Sequence, residues 1–459
     1  MKTKPHRPER QSMKRPHMYA QGADARIRGE MVIQLTPDAQ HLVTEHIPDS
    51  SSGIFRNSRL GIHDVDAALQ KIKVDYISRL YSSSPPLRTE NKLVDCGDDA
   101  NYRIWFDPEV PLSDALGTMC QVDKWVVDAR PNHWREGMMD AATPAELSRH
   151  NPEQWGLEKI GCPSAWQRTD GSPQVVVAVV DSGLDLNHRD FRHHVVPGKN
   201  CVRIPRAELP DDIRLHGHFM EPTGLPWDEH GHGTHVAGTI SCERRNAEGV
   251  AGVTRSCSIM PVRVLARAYD ADERQLTTWG SALDIANGIK WAVNHGAQVV
   301  NLSLGMGGEN RDERDAIEYA ISHDVVVVAA AGNYADSLAL WPAAFPDVIG
   351  VGGANREDQL MEKCSHGNHF KLCAPGDEIL STFWGRASYM FMSGSSMAAA
   401  HVSGVAALLL SLDAGLTAAD VRNILLATAR DMQSQPTDPN SDSRRLVDAE
   451  AALQAVRTV

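Results

Sequence analysis

The amino-acid sequence predicts an α/β protein with a doubly wound parallel sheet, preceded by a small α+β domain. The main observation is a series of apolar runs that do not alternate with polar residues, a pattern typical of strands buried on both faces. The runs cover residues 175–180, 259–265, 298–304, 325–331 and 348–351. Segments with apolar residues at helical spacing lie between the second and third runs and between the third and fourth. Strands that alternate with helices in this way predict a parallel sheet.

The length and composition of the chain indicate a globular protein of two domains. Its 459 residues exceed the size at which a single core usually stops growing. Hydrophobic residues make up 42% and charged residues 23%, and the formal net charge is -13. This acidic balance argues against nucleic acid as a partner. The longest apolar run, residues 402–412, is too short to span a bilayer, so we expect a buried helix there and no membrane partner.

In chain order, residues 1–26 predict a flexible basic tail. They lack the apolar core of a signal peptide, so we expect a cytoplasmic protein, with export by a route other than Sec left open. Residues 27–136 predict the small α+β domain, with strands near 31–35, 102–106 and 124–127 and helices near 65–80 and 112–119. Residues 137–153 predict an exposed linker, and residues 154–455 predict the parallel-sheet domain.

The eight cysteines are spread thinly and contain no C-x-x-C pair, which excludes a zinc ribbon and a thioredoxin-like motif. An even number permits disulfides. A chain of this length without an export signal favours buried free thiols, and both states remain open at this point. The cysteines are Cys96, Cys120, Cys162, Cys201, Cys242, Cys257, Cys364 and Cys373.

Polar and turn residues follow three of the predicted strands. Asp181 ends the first strand, Gly305 follows the third and Asn333 follows the fourth. Functional groups of such sheets gather outside the carboxyl ends of the strands. Ser396 precedes a long small-residue helix, where the unpaired N–H groups and the helix dipole favour a developing anion. A hydroxyl there is a candidate nucleophile if a base is near.

Three histidines crowd the stretch D-E-H-G-H-G-T-H-V-A-G. His232 lies at the predicted entrance of a helix, where its imidazole can face the sheet edge and act as the base. His235 lies one turn deeper among apolar neighbours, which favours a hydrogen-bonded structural histidine, and His230 is predicted in the loop. Zinc is disfavoured because the spacings of two and three, without an intervening Glu, do not match a zinc helix motif.

Each of these residues also has an ordinary structural interpretation. Asp181 could cap a turn, Asn333 could stabilise a loop through its own backbone, and Ser396 could be a helix N-cap. Their occurrence together, in order and at strand ends, favours a catalytic triad.

At these motifs the chain resembles the subtilisin-like serine peptidases, the subtilase family. The matching segments are V-V-D-S-G-L-D, H-G-T-H-V-A-G, N-L-S-L-G, A-A-A-G-N and G-S-S-M-A, and the resemblance covers residues 154–455 in the order Asp, His, Ser. The resemblance implies that Asp181 orients the imidazole, His232 is the general base and Ser396 the nucleophile. It also implies an oxyanion hole made by the Asn333 side-chain amide and the Ser396 backbone N–H.

The resemblance also implies how protein or peptide substrates bind. Ser303, Leu304 and Gly305, together with residues 330–333 that include Gly332, would pair with the substrate backbone as an added strand. Leu340 would form the floor of the pocket for the residue before the scissile bond. With no acid beside it, we expect broad specificity with an apolar preference.

Residues 29–38 and 102–134 resemble the propeptide of subtilases, which implies an intramolecular inhibitor and self-processing between about residues 132 and 154. An unrelated small domain is the alternative.

No cofactor is implied for the chemistry. Family resemblance allows a structural calcium, with Asp190 and Asn246 at matching positions. The competing function is a catalytically silent binding protein on a peptidase scaffold, held by its first domain.

Overall fold

The structure, a computed structural model, describes most of both predicted domains. The described residues are 26–40, 42–43, 58–79, 101–137, 141–144, 154–191, 194–204, 213–219, 224–242, 249–271, 275–385, 388–433 and 444–456. The predicted basic tail therefore lies outside the described residues, apart from Arg26 at its end, and Cys96 and Asn246 also lie outside them.

The N-terminal unit is an antiparallel sheet in the order β2-β3-β1-β4, with helices packed against one face. Met31, Ile33, Leu69, Ile104 and Met119 belong to its own buried core. The elements are β1 (Arg26–Leu35), α1 (Pro37–Gln40), α2 (His63–Lys71), β2 (Val74–Arg79), β3 (Asn101–Phe106), α3 (Leu112–Cys120), β4 (Val126–Gly137) and β5 (Ala141–Pro144).

The helix predicted over residues 65–80 is wrong in its second half. Helix α2 ends at Lys71, and β2 follows after Lys73, whose φ of 54° breaks the helical path. Strand β2 pairs antiparallel with β3, and its Ile77 lies opposite Ile104 in the core. The apolar residues at 72, 74 and 77 fit the period of a helix and that of a strand about equally well over so short a run. Pairing with the neighbouring strand β3 decides for the strand.

The second unit is built on the predicted parallel sheet, in the order β19-β20-β16-β15-β14-β12-β6-β9-β7, with β19 antiparallel to β20 at one edge. Its elements are α4 (Trp155–Lys159), α5 (Cys162–Ala165), β6 (Val176–Asp181), β7 (Lys199–Asn200), β8 (Ile213–His216), α6 (His232–Ile240), β9 (Ser258–Arg263), β10 (Ala266–Asp270), β11 (Gln275–Ser281), α7 (Ala282–Asn294), β12 (Val299–Leu302), β13 (Leu304–Gly305), α8 (Arg311–Ser322), β14 (Val326–Ala330), β15 (Ile349–Ala354), β16 (Leu372–Pro375), β17 (Ile379–Thr382), β18 (Tyr389–Ser393), α9 (Ser395–Leu412), α10 (Ala418–Thr428), β19 (Arg430–Asp431), β20 (Arg445–Leu446) and α11 (Ala449–Ala455).

The doubly wound architecture is confirmed by the way that β6 is buried. Val177 and Val179 belong to the core on one face, with α6 and α9, while Ala178 and Val180 belong to the core on the other, with α7 and α8. Because successive side chains point to opposite faces, a strand covered on both sides must be apolar throughout. The unbroken apolar runs of the sequence follow from this arrangement.

Helix α9 runs through the centre of the first of these cores. Among the described residues it is the one helix long and apolar enough to cross a membrane by length and composition, and 89% of that 18-residue window is buried inside the protein.

The two units share a sheet. Strand β4 pairs antiparallel with β11 on one side, so that the order continues β1-β4-β11-β10-β8, and its last two residues pair with β13. After residues 138–140, which lie outside the described residues, β5 pairs antiparallel with β18. The predicted exposed linker is therefore strand at Gly137 and at Ala141–Pro144, because its backbone finds partners in the second unit.

Ion pairs join the units at the first turns of α7 and α8. Arg103 of β3 donates to Asp284 (2.7 Å), Arg130 of β4 donates to Asp312 (2.5 and 3.1 Å), and Arg135 of β4 donates to Glu313 (2.8 Å). A carboxylate in the first turn of a helix also interacts favourably with the helix dipole.

The cysteines of the described residues are thiols that form no disulfide with one another. Most of them are buried, as predicted from the length of the chain and its lack of an export signal, but Cys120 at the end of α3 is exposed and Cys201 is partly exposed.

Candidate active site

Asp181 is the last residue of β6, at the carboxyl edge of the parallel sheet. Its Oδ1 lies 2.7 Å from Nδ1 of His232 and accepts a 2.6 Å hydrogen bond from the backbone N–H of Ser182. Both the carboxylate and the imidazole are fully buried. A carboxylate on Nδ1 fixes the imidazole with its other nitrogen, Nε2, free to accept a proton.

His232 begins α6, as the sequence predicts. The preceding Gly231 has a φ of 110°, and a Cβ there would lie 2.2 Å from the ring of Phe383, so both the turn and the packing require glycine. The tight turn at Gly231 places the His232 imidazole at the edge of the sheet.

The turn before His232 is organised by Asp228, a residue that is not among the predicted site residues. One oxygen of Asp228 accepts from the N–H groups of His230 and Gly231 and from the Ser182 hydroxyl (2.8–3.0 Å), and the other accepts from Thr234. Burial acts to raise the pKa of Asp228, but these hydrogen bonds hold it below its usual value. The signal available in the sequence was an acid a few residues before a helix start followed by a threonine.

Ser396 is the second residue of α9 and is fully buried. Its Oγ donates to the backbone carbonyl of Ser303 (3.1 Å), and the Ser303 hydroxyl donates to the carbonyl of Ser396 (2.9 Å). Ser303 directly follows β12, which lies next to β6 in the sheet. These bonds hold the start of α9 at the same carboxyl edge as Asp181 and His232.

Asn333 follows β14 and is held by its oxygen. Its Oδ1 accepts from the backbone N–H of Ser395 (2.9 Å), and the Ser395 hydroxyl in turn accepts from the N–H of Gly332 (3.0 Å). The Asn333 amide is therefore fixed next to the amino end of α9, with its Nδ2 donors left over.

Several buried polar atoms of this cluster have no hydrogen-bond partner among the described residues. They are His232 Nε2, Asn333 Nδ2 and Asp181 Oδ2. Buried polar atoms are normally paired, and an unpaired one calls for a specific explanation. A proton acceptor and an amide donor kept without protein partners are what acyl transfer requires, because their partners exist only during the reaction.

The cleft beside these residues contains the end of β4. Gly137 lies opposite Leu304, and Glu136 lies between Gly305 on one side and Trp279 on the other. A Cβ at Gly137 would lie 3.6 Å from the His232 ring and 2.3 Å from Thr278 Oγ1. The chain of the N-terminal unit thus passes the imidazole as the middle strand of a three-stranded arrangement.

The predicted pocket residues lie around the same edge. Leu304 and Gly305 form β13 and pair with β4, whereas Gly332, with a φ of 109°, packs against Leu340 so closely that a Cβ would lie 2.0 Å from Leu340 Cδ1. Leu340 is buried. The structure thus brings all the predicted site residues to one edge of the sheet.

The other two histidines of the stretch are buried but differ in setting. His235 Nε2 lies 3.0 Å from the carbonyl oxygens of Ile379 and Met390, and burial lowers its pKa to about 3. His230 is in the loop, and burial lowers its pKa to about 4. His401, in α9, has its pKa lowered to about 4 by burial. All three are neutral near pH 7.

We predict a steep loss of stability in acid. Each of these histidines has a folded-state pKa below the ordinary 6.5, so its contribution is complete above pH 6.5 and is lost as pH falls toward 4. Near pH 5 the unfolded chain binds nearly three more protons than the folded one. The free energy of unfolding should therefore fall by about 4 kcal/mol for each pH unit of acidification. Denaturant unfolding of the Ser396→Ala protein between pH 4.5 and 8 measures it.

The matched variant for this prediction is His401→Gln. It removes one of the three titrating histidines, the one that does not belong to the stretch around His232. We expect the slope near pH 5 to fall by about a third, since each proton contributes equally. An unchanged slope would show that acid sensitivity has another origin.

The described residues around Asp190 do not fit a calcium site. Its two oxygens accept from the hydroxyl of Tyr389 (3.1 and 2.9 Å), and Oδ2 also accepts from the N–H of Val250 (3.3 Å). Burial, and then the negative Asp190, raise the pKa of Tyr389, which keeps it a donor. The described part of the chain holds no group of three or more His, Cys, Asp or Glu placed for a metal. A calcium site that includes Asn246 stays a prediction.

A parallel sheet that presents Asp181, His232 and Ser396 along its carboxyl edge has the architecture of the subtilisin-like serine hydrolases. The sequence model of the subtilase family, peptidase family S8, matches residues 172–445. The chain belongs to the subtilase family of serine endopeptidases.

Individual relatives match over part of their length. A thermophilic serine proteinase of Bacillus sp. (strain AK1) is 35% identical over 283 residues, which are 62% of this chain and 63% of that protein. Thermitase of Thermoactinomyces vulgaris is 35% identical over 276 residues, which are 60% of this chain and 88% of thermitase. This chain thus spans less than two thirds of the first relative and most of the second.

Among solved structures, fervidolysin from Fervidobacterium pennivorans, a keratinolytic enzyme related to subtilisin, is similar with a TM-score of 0.67. The match covers 96% of this chain and 64% of that chain at 23% sequence identity. At this identity the likeness concerns the fold alone.

Proposed function

We propose that the protein is a serine endopeptidase that hydrolyses peptide bonds through an acyl-enzyme, with Asp181, His232 and Ser396 as its triad. The observation that carries this proposal is the buried 2.7 Å contact between His232 and Asp181, with His232 Nε2 left without a partner among the described residues. That nitrogen is the proton acceptor that a serine nucleophile requires.

The reaction begins when Ser396 Oγ rotates from the Ser303 carbonyl toward His232, gives its proton to Nε2 and attacks the carbonyl carbon of the substrate. Asp181 keeps the proton on Nδ1 and stabilises the imidazolium that forms. As the tetrahedral intermediate collapses, the C–N bond breaks and Nε2 passes its proton to the leaving amine. Water then attacks the acyl-enzyme by the same route and regenerates Ser396.

The oxyanion of the intermediate is stabilised by the Asn333 amide and the Ser396 backbone N–H. The unpaired Nδ2 of Asn333 supports this role, because its oxygen is already engaged by Ser395 and the amide is held before any substrate arrives. Preorganised donors stabilise the transition state without the cost of reorienting during the reaction.

Substrates bind as an added strand between β11 and β13. The pairing of β4 with both strands supports this mode, since a substrate backbone offers the same donors and acceptors. The buried Leu340 beside Gly332 supports an apolar preference in the pocket for the residue before the scissile bond.

The N-terminal unit acts as an intramolecular inhibitor until the chain cuts itself. Strand β4 occupies the cleft up to Gly137, and β5, which begins at Ala141, pairs with β18, the strand that ends three residues before Ser396. These pairings on either side of the segment support a cut between Gly137 and Ala141. A substrate cannot enter the same strand position while β4 is there. The alternative of a silent binding scaffold is not favoured, because the donor and acceptor groups needed for catalysis are all retained.

Purified wild-type protein is therefore expected to be cut at a bond between Gly137 and Ala141 and to hydrolyse casein only after this cut. Gly137→Ala should slow the cut by about 10²-fold, because the added Cβ would lie 2.3 Å from Thr278 Oγ1 and would displace the strand from the nucleophile. Intact-mass measurements over time follow the cut.

Gly117→Ala is the control, since a Cβ at Gly117, in α3, meets nothing within 4 Å. It should be processed like the wild type. A cut elsewhere in the chain, or equal rates for the two alanine variants, would contradict the proposed path of the chain through the cleft.

A further inference from the structure

The side chain of Arg135 is the most completely enclosed charged group of β4. Its guanidinium donates to the Glu313 carboxylate, from Nη2 to Oε2 at 2.8 Å and from Nε to both oxygens at 3.2 and 3.3 Å. Nη2 also donates to the carbonyl oxygen of Gly308 (3.2 Å), and Nη1 donates to the carbonyl oxygen of Trp134 (2.9 Å). Both charged side chains are fully buried.

Glu313 depends on this arginine for its hydrogen bonds. Within the described residues, every hydrogen bond to its carboxylate comes from Arg135, although its own N–H donates to Asn310 at the start of α8. A buried carboxylate that loses its only charged partner is strongly disfavoured. When β4 leaves the cleft, Glu313 therefore loses the positive charge that pairs with it. It then lies as an unpaired acidic group beside the site between β11 and β13 that β4 had occupied.

Arg135 belongs to the part of β4 that a substrate would replace. It lies opposite Gly280 in β11 and two residues before Gly137, which lies opposite Leu304 and beside the His232 ring. A peptide bound in the same register would place its own side chain at the Arg135 position against Glu313. Successive side chains of a strand alternate in direction, so the register fixes which residue reaches the carboxylate.

The neighbouring acid, Asp312, serves as a contrast. It pairs with Arg130, which lies opposite Val32 in the sheet of the N-terminal unit, beyond the residues that pair with β11 and β13. Asp312 thus contacts the folded unit, whereas Glu313 contacts the strand in the cleft.

We infer that Glu313 is a specificity determinant that selects peptides with arginine two residues before the residue opposite Leu304. This inference rests on the proposed endopeptidase function and names a substrate class for it. The planar guanidinium bonds both carboxylate oxygens and the Gly308 carbonyl at once, an arrangement that a lysine ammonium cannot reproduce. Lysine should therefore be accepted less well than arginine, and an apolar residue less well than lysine.

The test uses the self-processed wild-type protein and quenched fluorescent peptides with the sequence of residues 131–145, carrying Arg, Lys or Leu at the position of Arg135. We expect kcat/KM to be about 30-fold or more higher for the Arg peptide than for the Leu peptide, because an unpaired buried charge is costly. If no peptide is cut, the proposed function fails. If all three are cut at equal rates, the function stands and this inference is overturned.

Two variants locate the effect. Glu313→Leu should remove the preference for arginine and raise the relative rate of the Leu peptide, whereas Asp312→Asn, a change in the adjacent acid, should leave the Arg-to-Leu ratio as in the wild type. A preference that survives Glu313→Leu, or that is lost in Asp312→Asn, would overturn the assignment to Glu313. The wild-type peptide series decides the preference even if Glu313→Leu does not fold.

Discussion

Replacing Ser396 by alanine is expected to lower peptide hydrolysis by about 10⁶-fold, the scale known for triad nucleophiles of the subtilisin type. The methyl group cannot attack a carbonyl carbon, and the proton acceptor on His232 then has no proton to take. The same variant should keep the full mass of 50.3 kDa, whereas the wild type is expected to lose its N-terminal unit. Casein hydrolysis and intact mass, measured on the same preparations, give both results.

Ser411→Ala is the matched control for this substitution. Ser411 lies in the same helix α9, and its hydroxyl donates to the carbonyl oxygen of Ala407 within that helix, away from the sheet edge. It should be processed and active like the wild type. If the wild type and Ser396→Ala hydrolyse casein at the same background rate, the protein is not a serine endopeptidase.

The second large effect is expected at Asn333. Asn333→Leu should lower kcat by about 10²–10³-fold with little change in KM, a magnitude measured for the equivalent type of amide donor in subtilisin itself. The reason is that the proposed role of the Nδ2 donor is to stabilise the oxyanion of the intermediate and not the bound substrate. Steady-state kinetics on one fluorescent peptide separates kcat from KM.

Asn333→Asp distinguishes the donor from the acceptor role of this side chain. The carboxylate keeps an oxygen for the Ser395 N–H, which Asn333 Oδ1 accepts at 2.9 Å, but it offers no donor. If the donor matters, the Asn333→Asp variant should be at least as slow as the Asn333→Leu variant. Activity close to that of the wild type in Asn333→Asp would instead show that the hydrogen bond to Ser395 is the important one.

Much of the fold was predictable because the apolar pattern that marks a buried strand lies within a few consecutive residues. Residues 175–180 and 325–331 had to be strands buried on both faces, since six or seven consecutive apolar residues cannot be accommodated at a surface. The sheet was confirmed on this basis. The strand Val74–Arg79 was not recognised, because its apolar spacing suits a helix equally well and only pairing with β3 decides.

The site was partly predictable for the same reason. Asp181 at a strand end, His232 at the start of α6 and Ser396 at the start of α9 are each set by their own few residues, and the structure brings Asp181 and His232 into contact. Their catalytic roles stay predictions. Asp228 carries only a weak local signal, an acid shortly before a helix start, because its importance lies in the N–H groups that converge on it in the folded chain.

By itself, the sequence determined which segments are buried strands, where polar residues end them, and that an aspartate, a histidine and a serine occur in the order of the subtilases. Only the tertiary structure decided what lies in the cleft. Arg135 and Glu313 are 178 residues apart, and nothing local to either marks the other as its partner. Side-chain pairing across such a distance depends on where the fold brings two strands and a helix together, and a buried charge then takes whichever opposite charge that geometry supplies.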